Sequence, residues 1–488
     1  MLLSGSNLLI GQEYGMASIL SVGVDIGTST TQVIFSRIDM ENTGGYFSVP
    51  RVSIVDKQVI FKSPVYLTPL KTQVLIDGAA VRDLVAGAYR QAGYTPADVN
   101  TGAVIITGES ARKENAAEVL NQLSDFAGEF VVSTAGPDLE SIIAGKGSGA
   151  YQYSMDNGCT AVNLDIGGGT TNIVMFKDGE TVAKGCLDIG GRLIRLEQDL
   201  TVTYISPAAQ AVADALGAEI EKGRRTSYAV LERITDKMAD LLLQALGAKP
   251  QEPLLTRIQT PESSWFMPDE PIHAICFSGG VADCIAQPQE GIPYGDIGAI
   301  LGRSIAGSEL MKRFRCISGS ETIRATVVGA GTYTTSISGS TIDYADGLLP
   351  LKNIPALKLN AQEQADCFAG RDGLERQMRW FMEQSASDLI AVAMAGERDP
   401  DYATVCRTAE CLAHEMDAAL PQGKPLIVIL EHDMAKVLGM AMRRALGERR
   451  KVICIDSIKV EQGDYVDLGR PVLDGLVIPI VVKTLLFG

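Results

Sequence analysis

One twelve-residue pattern occurs twice in this chain, and it constrains the fold more than any other feature. VDIGTSTTQVIF (24–35) aligns with LDIGGGTTNIVM (164–175). Asp, Ile, Gly and both threonines recur at a fixed offset of 140 residues, from Asp25 to Asp165. Each copy is an apolar run, a glycine turn and a second apolar run, which reads as a β-hairpin. A repeat of this kind implies two duplicated α/β lobes. Two lobes that each offer one glycine hairpin imply a ligand held between them.

The turn residues indicate which ligand. Glycine lets a backbone approach phosphate oxygens and present its N–H groups where a Cβ would clash, which suits Gly27, Gly167, Gly168 and Gly169. Hydroxyls at Thr28, Ser29, Thr30, Thr170 and Thr171 add donors. Ser278, Gly279 and Gly280 close a further strand and supply a third element of the cleft. Asp25 and Asp165 end their strands where they can hold Mg²⁺ through its water shell, because that ion dehydrates reluctantly. The metal would neutralise charge on the β- and γ-phosphates, so the expected ligand is ATP with Mg²⁺ and the expected catalytic pair is Asp25 and Asp165. Asp188 is a third candidate metal ligand. Its alternative is to cap a helix starting near Arg192. Thr107 and Glu109 are further candidates for touching the metal or a partner.

Around the hairpins, strands are expected at 52–54, 59–61, 103–107 and 131–134, and helices at 77–92 and 112–126, with another beginning at 139–144. The second lobe continues with a strand at 181–187, mainly helical structure over 206–247, a strand at 272–277 and a small-residue segment near 322–333. Residues 425–456 read as a βαβ unit and 357–419 as helical, with a hairpin-rich piece at 460–472. The expected division is an N-terminal extension (1–18), a first lobe (19–158), a second lobe (159–339) and an appended C-terminal α/β region (340–488) as the candidate partner-binding part. A chain of 488 residues allows about three domains of roughly 150 residues. Glu431-His432-Asp433 reads as a strand-to-helix junction with Asp433 as N-cap. Arg443, Arg444, Arg449, Arg450 and Lys451 read as a solvated helix end.

Composition removes other classes. The net charge of −16 argues against nucleic-acid binding. Nine cysteines, with Cys406 and Cys411 the nearest pair, fit neither a zinc knuckle nor a redox pair, so reduced thiols in a cytoplasmic setting are expected. No run approaches the roughly 20 apolar residues of a membrane span. Three histidines make a histidine-based catalytic centre a poor fit.

V-D-I-G-T-S-T-T, L-D-I-G-G-G-T-T-N and F-S-G-G-V-A-D (277–283) together resemble the two phosphate loops and the adenosine loop of the actin, heat-shock chaperone and sugar kinase ATPases. L-D-I-G-G-R (187–192) is similar to the Gly-Gly turn of the chaperone branch, which implies nucleotide contacts for Gly190 and Gly191. T-G-E (107–109) and V-V-G-A-G (327–331) fall where that superfamily has its two connecting helices, making Gly108 and Gly329–Gly331 hinge candidates or sites of tight helix packing. Asn172 departs from the acid often found there. The implied fold is two actin-like, ribonuclease H-like lobes around a nucleotide cleft. A small-molecule kinase and a scaffold or filament ATPase remain alternatives within it.

ILEHDMAKVLG (429–439) and IDSIKVEQGDYVDLGRP (455–471), outside the shared motifs, resemble the ethanolamine ammonia-lyase reactivating factors. That resemblance implies a slow ATPase that remodels a partner rather than acting on ethanolamine. It would release damaged cobalamin from inactivated ethanolamine ammonia-lyase so that adenosylcobalamin can rebind. It also implies association with a bacterial microcompartment.

Overall fold

A computed structural model describes residues 16–27, 30–42, 52–72, 75–107, 110, 114–124, 131–134, 136–261, 263–333, 335–338, 342–345, 347–371, 373–385, 387–447, 449–472, 475 and 477–484. Thr28, Ser29, Gly108 and Glu109, all singled out from the sequence, lie outside them.

The first repeat opens a sheet of β1 (Met16–Ile26), β2 (Thr30–Asn42), β3 (Val52–Lys62), β4 (Thr101–Ile106) and β5 (Val131–Thr134) in the order β3-β2-β1-β4-β5. β1, β2 and β3 are antiparallel neighbours, whereas β4 and β5 continue parallel to β1. A parallel join needs a crossover. Helix α1 (Gly78–Ala92) supplies it, started by Asp77, whose side chain accepts from the Ala80 N–H, and stopped at Gly93 with φ 77°. Its Val81, Val85 and Tyr89 pack on Val24, Val33 and Phe35 of the hairpin.

The second repeat builds the same object. β6 (Thr160–Ile166), β7 (Thr171–Lys177), β8 (Glu180–Leu187), β9 (Ala274–Ser278) and β10 (Arg315–Cys316) run in the order β8-β7-β6-β9-β10, antiparallel through the hairpin and parallel beyond it. Two sheets with the same order and directions are the duplicated ribonuclease H-like lobes of the actin-like fold.

The lobes join through α2 (Pro137–Gly147), which crosses a later helix at backbone distance. The second lobe's α3 (Tyr228–Ala245), α4 (Gly280–Ala286) and α5 (Gly298–Gly307) come first, and α6 (Ala325–Tyr333) is the partner in the crossing. A Cβ on Gly147 would stand 1.8 Å from the Ala325 carbonyl oxygen, and one on Gly329 2.0 Å from that of Ile143. Only glycine permits such an approach. V-V-G-A-G therefore lies in a connecting helix as expected. The other connection is α2, which begins thirty residues after Thr107. Thr107 directly follows β4, and Gly108 and Glu109 lie outside the described residues.

The third sheet holds β11 (Thr335–Ile337), β12 (Asp343–Tyr344), β13 (Leu351–Lys358), β14 (Ala391–Met394), β15 (Leu426–Leu430), β16 (Val452–Ile455), β17 (Asp464–Leu468) and β18 (Pro479–Thr484), in the order β11-β18-β17-β13-β14-β15-β16-β12. Its centre, β13 to β16, is parallel. Helices α7 (Ala361–Phe368), α8 (Leu374–Ser385), α9 (Tyr402–Ala419) and α10 (Ala435–Leu446) pack over it. The βαβ unit of 425–456 is present. The helical reading of 357–419 is corrected, because β14 crosses it. AVAM is a four-residue apolar run whose periodicity cannot separate strand from helix. Asp433 does not cap α10. Met434 holds the N-cap position, and the Ala435 N–H donates to the buried Asp456 at 3.1 Å. The basic cluster is partly structural, with Arg443 paired to Asp343 and the buried Arg450 paired to Asp417 at 2.7 Å. β1 already pairs at Met16, and β11 joins the third sheet at Thr335. On β18, Val481 packs against Ala103, Ile105, Ile143 and Ala330, so the third sheet touches the lobe crossing itself.

Candidate functional site

Both glycine turns face one cleft of about 260 Å³. The two turns share one construction. The Gly27 N–H donates to the Thr30 carbonyl and the Gly167 N–H to the Thr170 carbonyl, each at 2.9 Å. In the strand register Asp25 stands opposite Gln32, and Asp165 opposite Asn172. Asp25, Gly27, Thr30, Asp165, Gly167, Gly168, Gly169, Thr170, Gly191, Gly279 and Gly280 line the cleft. Gly279 adopts φ 84°, and its absent Cβ would sit 2.4 Å from the Ile166 carbonyl oxygen. That contact brings the start of α4 against the second hairpin.

Other expected site residues stand behind the wall. The Thr171 hydroxyl donates to the Ile189 carbonyl at 2.8 Å. Gly190 presses on the second loop, where a Cβ would stand 2.4 Å from the Gly168 carbonyl oxygen. The next two residues tie the same loop, with the Gly191 N–H donating to the Gly167 carbonyl (3.0 Å) and the Arg192 N–H to the Gly168 carbonyl (2.7 Å). Ser278 is fully buried and donates to Asp165 at 2.6 Å while accepting from Asn163 at 2.9 Å. Asp188 is not in the lining. It accepts from the Thr260 hydroxyl at 2.7 Å. Nor does it cap a helix, because residues 194–196 form a short strand.

The two aspartates differ in their support. Burial pushes the Asp25 carboxyl up to about 7, against a hydrogen bond from Thr107, and the negative charge of Asp165 raises it further. Burial pushes Asp165 only to about 6, because Ser278, Asn172 and Thr326 all donate to it. Two desolvated carboxylates facing one cleft favour a cation between them.

The donor set fits a hard cation that keeps its water. Carboxylates and hydroxyls surround the cleft, and among the described residues no three His, Cys, Asp or Glu side chains converge into a cage. Gln32 Oε1 and Asn172 Oδ1 are buried acceptors with no hydrogen-bond partner among the described residues. Metal-bound waters are donors that suit them.

Three features escaped the sequence reading. Glu140, in the first turn of α2, lines the cleft beside the aspartates. Nothing local marks it, since only the helix crossing aims it there. Gln32 was findable, because it stands at the repeat offset from Asn172. Arg192 and Asp296 pair at 3.4 Å at the α4–α5 end, where the exposed Tyr294 also lines the cleft.

A family model described as "Ethanolamine utilisation protein EutA" matches residues 17–488. The chain is 35% identical over 470 residues to the "Ethanolamine ammonia-lyase reactivase EutA" of Salmonella typhimurium, covering 96% of this chain and 98% of that one. It is 34% identical over 479 residues to the protein of the same description from Escherichia coli K12, again covering 96% and 98%. Among solved structures, a Ppx/GppA family member from Aquifex aeolicus aligns over 64% of this chain and 87% of its own, at 16% identity and a TM-score of 0.36. At that score the fold assignment rests on strand order and direction. Among the described residues no helix is long and apolar enough to cross a membrane. The sequence match runs through both lobes and the third sheet, and this chain belongs to the EutA family of ethanolamine utilisation proteins.

Proposed function

We propose that this protein is an ATP-dependent reactivase that releases damaged cobalamin from inactivated ethanolamine ammonia-lyase, allowing adenosylcobalamin to rebind. The observation that carries the ATP part is the pair of matched hairpins presenting Asp25 and Asp165 to one cleft. The lyase is taken from the description of the two EutA relatives.

In this reading the N–H groups of Gly27 and of Gly167–Gly169 cradle the phosphates. Asp25 and Asp165 would hold Mg²⁺, and the buried acceptors Gln32 and Asn172 would suit its bound water. The ion would supply charge neutralisation at the phosphates. Glu140 orients the attacking water. Gly279, Gly280 and Tyr294 border the nucleoside end. Asp188 acts through Thr260 on the shape of the second lobe and not on the metal. The reaction is slow hydrolysis coupled to remodelling, with no chemistry on ethanolamine.

Coupling needs two states that ATP binds unequally. Moving such an equilibrium from 1:99 to 99:1 takes about 5.5 kcal/mol. The α2–α6 crossing is the hinge in this scheme. Val481 of β18 packs on both of those helices, so closure of the cleft reaches the third sheet directly.

The test is reactivation of cyanocobalamin-inactivated lyase in the presence of ATP, Mg²⁺ and adenosylcobalamin. The purified protein restores turnover. Asp165→Ala lowers ATP hydrolysis by about 10²-fold or more and abolishes reactivation while the variant stays folded. A folded Asp165→Ala protein that reactivates normally sinks the metal assignment. Efficient phosphorylation of a sugar or small acid by the wild-type chain makes it a kinase instead.

A further inference from the structure

The third sheet carries a cavity unrelated to the cleft. It measures about 510 Å³ and lies between α7 and α8. Its inner surface includes the buried Cys367 and Leu374. Its wall is preorganised. The buried carboxylate of Glu415 on α9 accepts from the N–H groups of Gly373 (2.9 Å) and Glu375 (2.8 Å), which fixes the start of α8. Across the cavity the Gln377 amide donates to Glu363 at 3.0 Å, and Arg371 pairs with Asp366 at 2.9 Å.

Two lining side chains are not used by the fold. Trp380 leaves 57% of its surface exposed. Arg376, one turn earlier on the same helix face, is exposed and makes no hydrogen bond or ion pair among the described residues. An indole costs apolar area in water, and an unpaired guanidinium has five donors in a fixed fork. Exposed Trp and Arg beside a concave site are the residue types that dominate protein–protein binding energy. The two acids of the lining are already engaged, so the uncommitted charge at this mouth is positive in a chain of net charge −16. A cation left unpaired in an acidic protein complements a carboxylate from elsewhere.

We infer that the α7–α8 cavity is a docking site for the partner enzyme, which inserts an apolar side chain against Trp380 and Leu374 and sets a neighbouring carboxylate on Arg376. This rests on the reactivase reading for the partner's identity, while the chemistry comes from the cavity. The site stands on the domain that β18 links to the lobe crossing, so a partner held there feels the state of the cleft.

The test measures the Kd of the full-length protein for purified cyanocobalamin-inactivated ethanolamine ammonia-lyase, with and without ATP and Mg²⁺. Trp380→Ala and Arg376→Glu each weaken binding more than about 10-fold. Both keep the wild-type rate of ATP hydrolysis without lyase. Raising salt from 50 to about 300 mM weakens the wild-type complex and leaves the residual binding of Arg376→Glu nearly unchanged. Wild-type affinity in both variants overturns the assignment while leaving the reactivase reading intact. No binding of the wild-type chain in any nucleotide state overturns both. If Trp380→Ala instead shifts the protein alone from oligomer to monomer, the mouth holds a second copy and the assignment is overturned.

Discussion

The two hairpins began as one sequence pattern, but the lobes support them with different materials. In the first, the Gly27 carbonyl accepts from the hydroxyls of Thr68 (2.8 Å) and Ser110 (3.0 Å). In the second, residues 190–192 press backbone on backbone against Gly168 and tie its carbonyl directly. The aspartates repeat the contrast. Asp25 has one hydroxyl donor, Thr107, whereas Asp165 has three side-chain donors, and their carboxyls settle near 7 and 6. Both carboxyls are raised by burial, Asp165 is lowered by more donors, and the charge of Asp165 adds to the rise of Asp25. Gln32 and Asn172 differ by one methylene. The longer amide reaches across to the Ile323 carbonyl at 3.0 Å, and the shorter one stays on its own aspartate. The second lobe therefore braces its loop with backbone, and the first lobe braces its loop with side chains.

The largest break in that contrast is Gly190→Ala. Its methyl meets backbone that cannot step aside, so it costs about 2–3 kcal/mol and moves the second loop. Mg–ATP affinity falls by about 10-fold or more. Gly27→Ala, whose methyl meets the Thr30 carbonyl at 3.1 Å, loses less on both counts. Equal losses in thermal unfolding and in ATP titration would erase the distinction between the lobes.

Next comes pH. Both carboxyls are raised above the usual 3.8. The folded protein without metal therefore holds protons that the unfolded chain releases. Its stability falls as pH rises from about 4 to 7. Mg²⁺ needs the carboxylates, so Mg–ATP binding tightens over the same interval, levels off above about 7 and releases protons. Glu140 and Arg192 share the cleft and are left unchanged in both variants. Asp25→Asn and Asp165→Asn each remove part of the rise, and Asp165→Asn also lowers the Asp25 carboxyl by taking away the charge that raises it. Calorimetry in buffers of different ionisation enthalpy counts the protons. Identical profiles for the two variants would place both aspartates in one environment.

The smallest effect is Gln32→Asn, which makes the first lobe copy the second. It gives up the bond to Ile323 and costs about 1 kcal/mol, with a few-fold loss of ATP affinity. No change in either quantity would remove Gln32 from the link between the first lobe and the segment leading to α6.

Legibility followed the range of the interaction. The hairpins, α1 and the βαβ unit of the C-terminal region are written in neighbouring residues, and they were readable. By position Asp188 is a candidate metal ligand or helix cap, and Asp433 a helix cap. Asp188 bonds Thr260, 72 residues away, and Asp456 takes the place of Asp433 from the end of another strand. Strand β14 hid because four small apolar residues carry no period.

By itself the sequence determined the duplication, the paired aspartates and the glycine turns, because hairpin geometry depends on residues a few places apart. Only the tertiary structure decided that α2 is the connecting helix, that Glu140 enters the cleft and that the two loops are braced by unlike means. Those outcomes arise where segments more than a hundred residues apart meet at backbone distance, as Gly147 and Gly329 do against the carbonyls of Ala325 and Ile143. Close packing of that kind is a property of pairs of surfaces, and no single stretch of chain contains it.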